Sequence, residues 1–427
     1  MSGIKRLFGS AVSYTLANVL NSAIPFFLLP VLTRVLTPGE YGAVTMFATV
    51  MGVISAFTGM SVHGAVSVRY FDKETDHPLF VGACLTVLAA STSVVLVVVA
   101  LLAAPLEGFT QVPKFWLLMA VLGAAMNFVI QVRLVMWQVA DKPFRFGIFQ
   151  FAQTAFNLSL SIFLIITIGL SWEGRLLGIL TALLVFGCAA FVSLNYSRLV
   201  KWRVNIGYIK DALRFGVPLI PHALGGVLIS LSDRFIITAL MGLEATGAYA
   251  VGAQLAMLIG ILASSFIQAY APHLYSKLSS EDAGTKLQLV KYSLAVYLGF
   301  FCVAILFWIC IPLVYLVFVG EQFQDSVVIS RLLAFGYALE GMYFAVAGFL
   351  FYLKKTAMLA RLTIFCGIVN VPLTYYMVDG FGLLGAAWSF VLIQTLFFIG
   401  AWFMAQKFYP LPWMRLLTVL AGRTISK

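Results

Sequence analysis

Apolar runs of about 18 residues or more recur from one end of this sequence to the other, and each can cross a hydrocarbon core of about 30 Å as a helix. That repetition constrains the fold more than any motif does. Lipid offers no partner for a free backbone N–H or C=O, so every crossing has to be helical. Only 10% of residues are charged and 62% are hydrophobic, against about 25% charged in a soluble domain. Too little polar surface remains to cover a globule in water. The expected fold class is an all-α polytopic membrane protein.

Twelve spans are expected, over 8–33, 43–68, 80–104, 114–138, 146–170, 174–195, 212–241, 246–270, 291–318, 327–352, 358–378 and 383–406. Breakers such as Thr37-Pro38-Gly39, His77-Pro78 and Asp379-Gly380 punctuate them. Lys5 and Arg6 precede a first apolar stretch too long for a signal sequence, which is read as a span that stays. The formal charge of +11 sits in short loops rather than on one face, which argues against nucleic acid as a partner. Of the 27 Lys and Arg residues, 21 fall at one set of helix ends. Four, Arg34, Lys114, Arg175 and Arg331, fall at the other, and Arg133 and Arg234 lie inside spans. The positive-inside bias then puts both termini in the cytoplasm. The five cysteines lie in apolar segments without metal-ligand spacing and read as packing residues.

The chain echoes itself. Leu32-Thr33 and Ile237-Thr238 stand 205 positions apart, as do Gly42-Ala43 and Gly247-Ala248. Asn157 and Asn370 are similarly placed in spans five and eleven, and Leu176-Leu177-Gly178 and Leu383-Leu384-Gly385 open spans six and twelve. Six spans per half make the repeats parallel, related by a pseudo-twofold axis along the membrane normal. The expected organisation is a six-helix lobe over 1–195, a basic cytoplasmic linker over 196–211, and a second six-helix lobe with a short tail over 212–427.

Polar residues gather in stripes at helical spacing: Asn18 and Asn21 in span one, Gln150, Gln153, Asn157 and Ser161 in span five, His222, Ser230 and Asp233 in span seven. Such stripes face protein or a wet cavity rather than lipid; interhelical hydrogen bonding is the plain alternative for any single amide. Arg133 has a stem long enough to snorkel to the cytoplasmic edge, and Arg34 fits an interfacial anchor. Asp233 and Arg234 lie inside span seven and, pointing about 100° apart, need not pair with each other. Glu340 falls mid-span with no basic residue in the same helix core. A carboxylate there needs a partner Arg, or a proton or Na⁺ taken up in a transport cycle. His222 is a weaker proton carrier.

Enzymatic constellations are missing from the sequence, and no cofactor is called for: there is no Ser-His-Asp set, phosphate loop or Cys/His metal spacing. LPVLTRVLTPGEYGAVTMF (29–47), SDRFIITALMGLEATGAYAVG (232–252) and LLGAAWSFVL (383–392) resemble signatures of the MOP-superfamily polysaccharide transporters, the O-antigen or Wzx-type flippases related to MATE exporters. The resemblance implies a V-shaped transporter with alternating access. Its implied cargo is an undecaprenyl-pyrophosphate-linked oligosaccharide for surface polysaccharide or lipopolysaccharide biosynthesis. A pyrophosphate suits cationic side chains in the cavity, with Arg133 and Arg234 first and Arg34 next. The sugar suits the amides Asn18, Asn21, Gln150, Gln153 and Asn157. Coupling to H⁺ or Na⁺ would fall to Glu340, Asp233 or His222. Partners implied are the lipid-linked oligosaccharide, membrane lipids and a polysaccharide polymerase or chain-length complex. A MATE-type exporter of cationic small molecules and a non-transport component of a glycan assembly complex are the alternatives.

Overall fold

A computed structural model of the chain describes residues 26–279 and 283–413, except for the side chains at 222, 223, 225–229 and 283. Every regular element among the described residues is helical. They fall in two compact units, Met1–Gly247 and Ala248–Lys427.

In the first unit, α1 (Phe26–Val35) ends at a tight turn. Thr37 then caps α2 (Pro38–Phe57): its side chain accepts from the Glu40 N–H while the Glu40 carboxylate accepts from the Thr37 N–H. This capping box satisfies donors that a helix start leaves open. The expected second span of 43–68 is broken. Gly59, Met60 and Ser61 all take positive φ, so the helix stops at Phe57 and restarts as the short α3 (His63–Arg69). Then come α4 (His77–Leu101), α5 (Ala103–Thr110), α6 (Lys114–Val139), α7 (Pro143–Ile162), which widens into a π-helical turn at Phe163–Thr167, and α8 (Trp172–Tyr196). At the centre lies α6, packed against α2, α3, α4 and α8. Phe128, Ile130 and Val132 of α6 join Phe80 and Cys84 of α4 in the buried core.

The linker expected at 196–211 is not a bare connection. It carries α9 (Ile206–Gly216), capped by Asn205, which packs on α3 and α4. Asp211 of α9 accepts two hydrogen bonds from the Arg69 guanidinium, at 2.6 and 2.8 Å. Lys201 reaches Asp76 at 2.7 Å, and the Tyr208 hydroxyl accepts from the Asp76 N–H at 3.0 Å. The linker is strapped to the basic end of the first unit.

Two helices are longer than any membrane. α10 (Ile220–Leu278) has 59 residues, about 88 Å at about 1.5 Å each, and α13 (Thr356–Phe408) has 53. Each breaks at one glycine in a conformation L-residues avoid, Gly242 (φ 84°) and Gly382 (φ 60°), so each is two spans folded back at a one-residue joint. With these two halved, the long apolar helices of the described residues give eleven candidate spans, and α1, ten residues as described, stands at the end of the expected first span. In the second unit, α12 (Val327–Tyr352) packs between α11 (Ala283–Phe318) and α13.

The repeated glycines meet. A Cβ on Gly42 would lie 1.9 Å from the Leu243 carbonyl oxygen, and one on Gly247 would lie 1.8 Å from that of Pro38. With a repeat of 205 positions, Gly42 corresponds to Gly247 and Pro38 to Leu243. The two contacts are therefore the same contact with the partners exchanged, as across a local twofold. Close backbone approach of this kind is how helices associate without a hydrophobic drive between them.

Gly42→Ala and Gly247→Ala should each lower stability by about 1–3 kcal/mol, because the added methyl meets a carbonyl that cannot step aside. Gly39→Ala, with nothing within 4 Å of the new methyl, should leave the thermal midpoint in detergent where it was; three equal midpoints would discount the crossing. A second expectation concerns the strap. The Lys201 ammonium holds the Asp76 carboxyl below its usual 3.8. A lowered folded pKa stabilises above the unfolded value and is lost as pH falls through the lowered one. The strap should therefore hold at neutral pH and loosen only in acid. Both side chains are more than a third exposed, so Lys201→Ala should cost at most about 1 kcal/mol. Amide exchange over 199–209 at neutral pH checks this; unchanged protection would show the ion pair to be idle.

Candidate functional site

Polar side chains of α2, α7, α8 and α10 converge inside the first unit, at the end opposite the strap. On α7, Asn157 and Ser161 lie one turn apart, and Ser161 donates to the Asn157 side-chain amide oxygen at 3.3 Å. Both accept from one nitrogen of Arg175 on α8, Nη1, at 2.6 and 2.7 Å. Gly178 lets α8 come this near, since a Cβ there would sit 2.1 Å from the Ser161 hydroxyl. The Leu-Leu-Gly motif thus serves the arginine one residue before it. Nearby, Ser171 donates a short hydrogen bond to Glu40, which fixes the start of α8 against the cap of α2. Trp116 packs with Phe47 and with Trp172 at 6.4 and 5.9 Å between rings, which closes the apolar side.

Tyr41, 5% exposed, lies within electrostatic reach of both Arg175 and Arg234. Arg234 itself pairs with its neighbour. Its Nη1 donates to Asp233 at 2.9 Å and to the Ser230 carbonyl at 2.8 Å, with both side chains under one-fifth exposed. Sequence reasoning treated these two as free to point apart. The flexible Arg stem reaches back along the helix, and shielding from water makes the short ion pair favourable. The site therefore holds two guanidinium groups and two carboxylates, Asp233 and Glu40, among Tyr, Asn and Ser; Arg175, bonded to neutral acceptors, is the cation suited to an anion that can accept several hydrogen bonds.

The other expected residues are placed elsewhere. Arg133 is buried at 4% exposure on α6, its guanidinium 4.3 Å from the Trp137 ring centroid and bonded to Ser197 at 3.4 Å. It does not snorkel to water; it stacks. Ser197 is 22 residues beyond Arg175 along α8, about 33 Å at about 1.5 Å per residue, so Arg133 and Arg175 cannot hold one phosphate group. Arg34 is exposed at the end of α1. Gln150 and Gln153 are half-buried on α7, and the Gln150 carbonyl oxygen is buried without a hydrogen-bond partner among the described residues. Asn18, Asn21 and the His222 side chain lie outside the described residues.

Glu340 belongs to the second unit. Half-buried on α12, its carboxylate lies 3.5 Å from the point a Cβ on Gly260 would occupy. It makes no hydrogen bond or ion pair among the described residues, and the Tyr343 hydroxyl lies within its electrostatic reach. No group of three or more His, Cys, Asp or Glu able to hold a metal ion occurs among the described residues.

Arg175 and Tyr41 were missed by sequence reasoning. The signal for Arg175 was available, since it falls one residue inside the expected sixth span and yet was counted with the loop charges.

Residues 8–278 match the model of the family described as polysaccharide biosynthesis protein. Lsg locus putative protein 1 of Haemophilus influenzae is 24% identical over 403 residues, covering 92% of this chain and 98% of that protein. Among solved structures, an inward-facing multidrug resistance MATE family transporter of the MOP superfamily aligns over 97% of this chain and 96% of its own, with a TM-score of 0.72 and 16% identity. The lipid II flippase MurJ in an inward closed conformation aligns over 96% and 90%, with a TM-score of 0.73 and 11% identity. The chain is a member of the polysaccharide biosynthesis protein family, and its helical fold is like those of the MATE family transporter and MurJ.

Proposed function

We propose that this protein is a transporter that turns an undecaprenyl-pyrophosphate-linked oligosaccharide from the inner to the outer leaflet of a bacterial inner membrane, for surface polysaccharide assembly. Family membership supports the cargo class. The observation that carries the reading is a guanidinium set between α7 and α8 within the span region, Arg175, whose Nη1 donates to both Asn157 and Ser161. Arg234 is paired with Asp233 and Glu40 accepts from Ser171, which leaves Arg175, on neutral acceptors, as the cation to meet an anion, and a pyrophosphate offers the acceptors that a fixed Arg fork matches. Asn157 and Ser161 hold Arg175 in place, so little side-chain freedom is lost on binding. Both termini are taken as cytoplasmic, and the lobes as 1–195 and 212–427.

Ion coupling is part of the proposal and rests on Glu340. A mid-membrane carboxylate with no described cation partner is a natural carrier of H⁺ or Na⁺. The same residue favours the second reading, a MATE-type exporter of cations, which would want an acidic cavity. Asp233, the other acid of that reading, is already paired with Arg234.

Deleting the gene should make lipid-linked repeat units accumulate on the cytoplasmic face; their absence there would end the flippase reading. Arg175→Ala and Arg234→Ala should each lower surface glycan about tenfold at normal protein level, the loss expected for a hydrogen bond to a charged group. Arg175→Lys should not rescue, because an ammonium cannot present the same fork. Full glycan in all three would remove the pair from the mechanism. Glu340→Gln should abolish the dependence of flipping on the ion gradient, and an unaltered gradient dependence would reduce Glu340 to a packing role.

A further inference from the structure

The second unit carries a groove of about 620 Å³ between α10 and α11, with no residue of α12 in its lining. Its walls are two helical stripes. Leu262, Phe266, Tyr270 and His273 line it from α10, and Tyr292 and Gly299 from α11. Three contacts tie the walls like rungs. Phe266 meets Phe300 at 5.6 Å, His273 meets Tyr292 at 5.4 Å, and the Lys277 ammonium donates to the Gln288 carbonyl oxygen at 3.2 Å. The rungs run from wholly apolar, through aromatic rings with polar atoms, to a cation.

That gradient matches a lipid lying along the groove. Leu262 is 58% and Phe266 40% exposed, so the apolar part opens outward. The lining on α10 runs from Leu262 to His273, 11 residues or about 16 Å along the helix, and Lys277 lies one turn beyond it, so groove and lysine together reach about 22 Å, against about 20–22 Å for one leaflet with its headgroups. Together they match a single leaflet, on the side where Lys277, Lys286 and Lys291 sit. Glu281 and Asp282, between the two helices in sequence, lie outside the described residues. Among the lining residues, polar side-chain atoms occur toward that end, on Tyr270, His273 and Tyr292. A cargo lipid has to carry its phosphate to the other leaflet, whereas a groove anchored at one end holds a lipid that stays. Basic pockets between spans at the cytoplasmic side are recognition sites for anionic headgroups.

We propose that this groove is a binding site for one resident anionic phospholipid, with its chain along Phe266 and Gly299 and its phosphate at Lys277 and His273. The proposal stands apart from the transport reading, and its test reads lipid retention, not glycan. Gly299 supplies the variant: a Cβ there meets nothing within 4 Å, so a large side chain fills the groove without displacing protein.

The experiment is native mass spectrometry of the purified full-length chain, delipidated and then titrated with phosphatidylglycerol or with phosphatidylcholine of the same chain length. The expected result is one phosphatidylglycerol held more tightly than phosphatidylcholine. Lys277→Gln should cut that preference about fivefold, the weight of one basic residue at a lipid surface. Gly299→Trp should lower retention of both lipids, with Gly299→Ala as its control. If Gly299→Trp fails to insert, the Lys277→Gln preference decides alone. Equal retention of the two lipids, or a preference that survives Lys277→Gln, overturns the proposal. So does displacement of phosphatidylglycerol by equimolar polyprenyl phosphate, which would assign the groove to the cargo.

Discussion

Two glycines pressed against carbonyl oxygens hold α2 against α10 in the first unit. In lipid, apolar side chains gain nothing by meeting one another rather than the bilayer, so helices associate through close, well-packed contact. Gly42 and Gly247 supply it with no side chain between them. The reciprocal geometry also explains why one dipeptide recurs in both halves. At a symmetric crossing each copy has to satisfy the same steric demand, so neither half can lose its glycine alone. The turns preceding these glycines, at Thr37 and at Gly242, set the depth at which the crossing falls.

The polar site is assembled around that crossing. Tyr41 stands immediately before Gly42, and the arm of α10 bearing Arg234 ends at the Gly242 turn that leads to Gly247. Further out, Gln111 donates to the Thr238 carbonyl and Phe109 stacks on Phe235, so this arm is also held to the segment before α6. Burying a guanidinium is costly unless its donors are used. Arg175 meets that demand with Asn157 and Ser161, and Arg234 meets it with Asp233 and a backbone carbonyl. The two solutions leave different residual charge. Arg175 is held by neutral acceptors and keeps its full field, while Arg234 shares its field with a carboxylate.

Much of this was legible in the sequence, and for identifiable reasons. Span number followed from hydropathy and from breakers, because the bilayer fixes the length of each crossing. The repeat was legible because glycines and Leu-Leu-Gly mark backbone contacts that tolerate no substitute. Asn157 was picked out by its spacing on α7. What could not be read was who meets whom across helices. Arg175 looked like a loop charge because its depth depends on how α8 packs on α7, and Arg133 looked like a snorkelling anchor because its stacking on Trp137 needs the packed core. The break at Gly59 escaped notice since Met60 and Ser61, which share its positive φ, are not residues that announce a turn.

The one-residue joints at Gly242 and Gly382 have a consequence for how the chain accommodates added sequence. Chain inserted there has no slack to draw on: it must unwind the ends of two helices at once, and any residue but glycine strains the joint before the insert begins. The connection at 197–205 is different. Trp202, Arg203 and Val204 are exposed and lie outside regular structure. Natural length variation, reporter peptides and purification tags therefore belong at 202–204, beyond the Lys201 strap and before α9, and a chain lengthened at Gly242 or Gly382 would have to rebuild the hairpin around it.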